Sequence, residues 1–121
     1  MKKLILLFLF ASTAASQYYK PFIDNKDINT YPDIAVINST QYFISGRVSF
    51  RTCYGRNFHI GIDKTWTGSG RGICLIREIN ATVHTDNGDI SAKPYTSIGT
   101  SYSQFSVIYR DGNYHVVRIV G

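Results

Sequence analysis

From Gln41 onward hydrophobic and polar residues alternate. Phe43, Val48 and Phe50, then Phe58, Ile60 and Ile62, recur at a two-residue period, the pattern of strands with one face in a core. Gly46 interrupts the first run, which predicts a bulge or bend. Asn57 to Trp66 reads as one strand. Ile73 to Thr85 reads as another, with Cys74, Ile76 and Glu78 on one side. Between them Thr67-Gly68-Ser69-Gly70-Arg71-Gly72 reads as a flexible loop. Asp86-Asn87-Gly88-Asp89 predicts a tight turn, because Asn-Gly tolerates positive φ. A short strand or loop follows through Pro94, and Ile98-Gly99-Thr100-Ser101 predicts a further turn. Gln104–Arg110 and Asn113–Val120 flank Asp111-Gly112, and a two-residue loop there sets Tyr109 opposite Tyr114 and Val107 opposite Val116. Roughly six to eight short strands, with no helical period beyond the first residues, predict an all-β fold, an antiparallel β-sandwich.

The first residues follow a different rule. Met1-Lys2-Lys3 is basic, Leu4 to Ala11 is continuously apolar, and Ser12 to Ser16 are small. This is the three-part pattern of a secretory signal peptide, with cleavage after Ser16. The apolar run is far shorter than the roughly 20 residues that span a bilayer. The expected organisation is a signal peptide over 1–16, an irregular N-terminal arm over 17–40 with a short strand at Ile34-Ala35-Val36-Ile37, and a β-sandwich domain over 41–121.

Composition narrows the class. With 44% hydrophobic, 14% aromatic and 17% charged residues, the 121-residue chain is too apolar for a disordered segment and too low in charge for a coiled coil. Processing takes Lys2 and Lys3 from the 13 basic residues and none of the 8 acidic ones, leaving a net charge of +3. So small an excess argues against nucleic acid as a partner. Arg47, Arg51 and Arg56 interleave with Phe50, Tyr54 and Phe58, but on an alternating strand Arg47, Ser49 and Arg51 share a solvated face opposite Val48 and Phe50.

Cys53 and Cys74 are the two cysteines, and an even count in an exported chain predicts a disulfide. Asn38-Ser39-Thr40 and Asn80-Ala81-Thr82 are N-glycosylation acceptors, which makes Asn38 and Asn80 candidate glycan sites in a glycoprotein. His59, His84 and His115 show no metal-ligand spacing with each other or with the cysteines, so no metal or cofactor is expected. Asp86, Asn87 and Asp89 fall short of a calcium loop. No Gly-x-Ser-x-Gly elbow, His-Glu-x-x-His or phosphate-cradling loop is present.

The run from Ile44 to Ile62 carries Gly46 in its first strand, then Cys53, a turn at Gly55 and a second alternating strand. It resembles the opening of the secreted transthyretin-like family of nematodes. Thr85-Asp86-Asn87-Gly88-Asp89-Ile90 resembles that family's turn, and Phe105–Gly112 with Val116–Ile119 resembles its closing strand pair. The similarity spans about residues 42–120, in the manner of a diverged member: the family's late cysteine is missing after Tyr109, and Cys74 stands mid-domain instead. The resemblance implies an extracellular sandwich of transthyretin or immunoglobulin type. The related hydroxyisourate hydrolases end in Tyr-Arg-Gly-Ser, whereas here Tyr109-Arg110-Asp111-Gly112 falls in a hairpin.

The expected function is therefore non-enzymatic: a secreted binding protein that recognises an extracellular protein, lipid or small apolar ligand, without stable membrane insertion. Its ligand-binding residues are not assigned by the sequence. The nine tyrosines are too many for so small a core, and exposed tyrosines suit recognition. Two rival readings are a hydrolase of the transthyretin-related type using His59, His84 or His115, and a secreted effector or defence protein. An open edge at the 104–120 hairpin is expected to offer a route to homo-oligomers.

Overall fold

Alternation leaves each sheet with one apolar face that must be covered, and here two sheets cover each other. The computed structural model describes residues 30–120, so the expected signal peptide and the arm up to residue 29 lie outside the described residues. Among those described there are nine strands and no helix. They are β1 (Ile34–Asn38), β2 (Ile44–Phe50), β3 (Arg56–Ile60), β4 (Thr65–Gly68), β5 (Ile76–Thr85), β6 (Gly88–Ser91), β7 (Tyr95–Thr100), β8 (Gln104–Arg110) and β9 (Asn113–Arg118).

One sheet has the order β4-β1-β8-β9 and the other β3-β2-β5-β6, with β7 also on β5. The β1–β8 pair is parallel; every other strand pair is antiparallel. Ile34 and Val36 of β1, Ile44, Val48 and Phe50 of β2, Phe58 and Ile60 of β3, Ile76, Ile79, Ala81 and Val83 of β5, and Phe105 and Val107 of β8 fill the core. Each fully buried aliphatic side chain there contributes roughly 1.5–3 kcal/mol. The short strand expected at Ile34–Ile37 is thus central to the sandwich rather than a decoration on an arm.

Several expected boundaries move, each for a physical reason. Asn57 to Trp66 is not one strand. β3 ends at Ile60, a turn closes with Lys64 N–H donating to the Gly61 carbonyl at 3.1 Å, and β4 continues in the other sheet against β1. Asp63 takes a positive φ of 59° in that turn, and Ile62, expected inside, is 52% exposed. Gly46 sits in regular β2 pairing, not at a bulge. Its lack of a side chain makes room for the Phe58 ring, whose nearest atom lies 2.5 Å from where a Cβ would stand. The register shifts lie between Ser49 and Phe50 and between Ile76 and Glu78. The first inserts Arg77 as an extra residue of β5, which moves Ile79, Ala81 and Val83 to the core side and leaves Glu78 half-buried. Ile98-Gly99 does not end a strand but bulges within β7, where Ser97, Ile98 and Gly99 oppose the single residue Arg77.

The closing hairpin has the expected register, Tyr109 against Tyr114 and Val107 against Val116. Asp111 and Gly112 both take positive φ, 54° and 82°, as a type I′ turn requires. β9 is an edge strand, yet its outer edge is occupied: Lys93 N–H donates to the Tyr114 carbonyl at 2.9 Å, and Val116 N–H donates to the Lys93 carbonyl at 2.8 Å.

Candidate functional site

Three connections meet at one end of the sandwich. The β1–β2 loop brings Ser39, Thr40, Gln41 and Tyr42, the β5–β6 turn brings Asn87, and the closing hairpin brings Tyr109, Asn113 and Tyr114. Together with Ile90, Lys93 and Ile108 they line an open cleft of about 710 Å³. The Tyr109 and Tyr114 rings meet edge to face at 4.9 Å. Tyr109 is 59% exposed, while Tyr42 and Tyr114 pack against the core. Burial pushes the Tyr114 phenol above its ordinary pKa, and the neighbouring Tyr42 and Tyr109 add to the shift.

Asn38 holds this end together. Along β1 it follows Ile34 and Val36 at the same parity, so it points inward and is fully buried. Its Nδ2 donates to the carbonyls of Tyr42 (2.8 Å), Ile60 (3.1 Å) and Gly61 (3.1 Å). Its Oδ1 accepts from Thr40 N–H (3.0 Å) and Thr40 Oγ1 (2.8 Å). At Asn38, one of the two candidate glycan sites, the amide nitrogen of the folded chain is buried and engaged. Asn80, in contrast, is exposed on β5, the condition a glycan there requires.

The opposite end is tied by sulfur and by a guanidinium. Cys53 and Cys74 form the expected disulfide, with Cα atoms 5.9 Å apart. Arg71, expected in a flexible loop, is only 2% exposed. It donates to the carbonyls of Cys74, Thr100, Ser101 and Tyr102 at 2.7–3.2 Å, and to that of Pro32 at 3.4 Å. It also stands 5.2 Å from the centre of the Tyr31 ring. Burial lowers its pKa, partly offset by Tyr31.

The arginines do not form one platform. Arg47 bonds Asn57 at 2.8 Å, whereas Arg56 turns to the Ser69 carbonyl at 2.6 Å. The histidines divide as well. His115 lies on β9 beside Lys93. His59 and His84 flank Phe43 on the outer face of the other sheet, with ring centroids at 6.0 and 5.5 Å. On that face His84 makes two further contacts, Nε2 to Ser45 Oγ at 2.9 Å and Nδ1 to Asp89 Oδ1 at 2.8 Å. No motif in the sequence marks Ser45. The available signal lies in the Asp86-Asn87 turn, which pairs His84 with Asp89 once the hairpin closes.

Among the described residues no group of His, Cys, Asp and Glu could hold a metal, and no helix is long and apolar enough to cross a membrane. The disulfide is compatible with a secreted protein. No family model matches the chain, and no curated protein matches it. It is similar to the NMR structure of a protein from Eubacterium rectale, with a TM-score of 0.51 at 12% identity, over 78% of this chain and 94% of that one. At that identity the likeness concerns the fold alone: an all-β sandwich.

Proposed function

We propose that the protein is a secreted recognition module, a diverged relative of the transthyretin-like family, which binds a segment of an extracellular protein in its tyrosine-lined cleft. The observation that carries this reading is the convergence of Tyr42, Tyr109 and Tyr114 on one open cleft. Tyrosines give large contact area with few rotors to freeze. Gln41, Asn87 and Asn113 around them supply amide donors and acceptors suited to a peptide backbone. An apolar side chain would seat against the Tyr109–Tyr114 pair, while the buried Asn38 holds the Tyr42 loop ready. The two-layer all-β architecture supports the transthyretin-type part of this reading. The disulfide supports secretion, for which 1–16 would be removed and Asn80 would carry any glycan.

The test is photo-crosslinking from a benzophenone amino acid at Gln41 of the chain, incubated in extracellular fluid, with partners identified by mass spectrometry. The expected result is one dominant protein. Its binding should weaken roughly tenfold or more in Tyr109→Ala and Tyr114→Ala chains. A partner captured equally by those variants, or a glycan or lipid recovered in its place, overturns the reading.

A further inference from the structure

We infer that Ser45 is a nucleophile, activated by His84 and Asp89, that accepts acyl groups from small carboxylic esters and releases them to water. The proposal does not depend on the tyrosine cleft.

The order of contacts is the one such chemistry needs. A carboxylate only accepts hydrogen bonds, so at 2.8 Å Asp89 Oδ1 accepts the one donated by His84 Nδ1–H. That sets the tautomer, and Nε2 is left with its lone pair facing Ser45 Oγ at 2.9 Å. Nucleophile, base and orienting acid thus lie within hydrogen-bond reach in sequence. β-pairing holds all three: His84 pairs directly with Asp89, and Ser45 pairs with Thr82, two residues before His84 on the same face. The site is open to reactants, His84 being 33% and Asp89 65% exposed.

Two further side chains give it shape. Phe43, 44% exposed, stacks on His84 and offers an apolar seat for an aryl or short alkyl group. His59 pairs with Ser45 across β2 and β3. Backbone N–H groups of strands are directed into the ladder, so His59 is the side chain placed to donate toward a developing oxyanion.

The step balances without a further reagent. Ser45 Oγ bonds to the acyl carbon as its proton passes to His84 Nε2. The carbon–oxygen bond to the alcohol breaks, and the alcohol leaves with that proton. Water then attacks the acyl-serine, gives a proton to Nε2, and the acid departs as Oγ recovers its proton.

The full chain is treated with a fluorophosphonate and digested, and the labelled serine is located by mass spectrometry. Hydrolysis of 4-nitrophenyl acetate is followed in parallel. Label confined to Ser45 is expected, as is a loss of hydrolysis of about 100-fold or more in Ser45→Ala and His84→Gln and a smaller loss in Asp89→Asn. The label's position in the unaltered chain needs no variant to fold. Absent label, label spread over other serines, or hydrolysis that persists in Ser45→Ala through the imidazoles alone overturns the proposal.

Discussion

Arg71 and Asn38 show how far a single residue departs from its usual place when its partners are complete. A buried guanidinium with no acid beside it would be costly, yet five carbonyls and the Tyr31 ring surround this one. Arg71→Ala should lower stability by about 3 kcal/mol, because it leaves buried acceptors unmade; chemical denaturation measures it. Arg71→Lys should rescue little, since an ammonium cannot reproduce the fork. Nothing in Gly70-Arg71-Gly72 announces this: the acceptors come from segments up to 39 residues away. Asn38 was legible in part, because its parity with Ile34 and Val36 points it inward, whereas the tripeptide rule ignores parity. At the cleft, the raised pKa of Tyr114 means that the folded chain keeps a proton the unfolded chain gives up. The linked stability is present below about pH 10 and is lost as pH climbs through the folded pKa. Denaturant midpoints measured across that range should fall less steeply in Tyr114→Phe.

Elements were legible where they closed locally. The Asp111-Gly112 hairpin needs only its own 15 residues, and turn and strand residues agree on one register. Gly112→Val places a β-branched residue at a φ of 82° and should cost roughly 1–2 kcal/mol, whereas Asp111→Asn, which tolerates the same region, should be nearly neutral; both are read from thermal melts. Asn57 to Trp66 went the other way. A two-residue period reports that a strand has a buried face but not which sheet buries it, so the crossing at Gly61–Lys64 was invisible. The same holds at Ile76–Glu78, where one extra residue reverses which side chains face the core.

For the whole molecule, two sheets are bound by a shared core, and one covalent link joins residues 21 apart. Replacing both Cys53 and Cys74 by Ser should lower stability by about 3 kcal/mol, a fall in Tm on the order of 15 °C for a domain this size, measured by calorimetry. The sequence by itself determined the all-β class, the disulfide and the last hairpin, because alternation, cysteine count and turn chemistry act over a few residues or follow from composition. Only the tertiary structure decided that Asn38 is a buried brace and Arg71 a buried clamp. It alone brought Tyr42 to Tyr109 and Tyr114, and Ser45 to His84. Those contacts depend on strand order and register between distant segments, which no local period encodes.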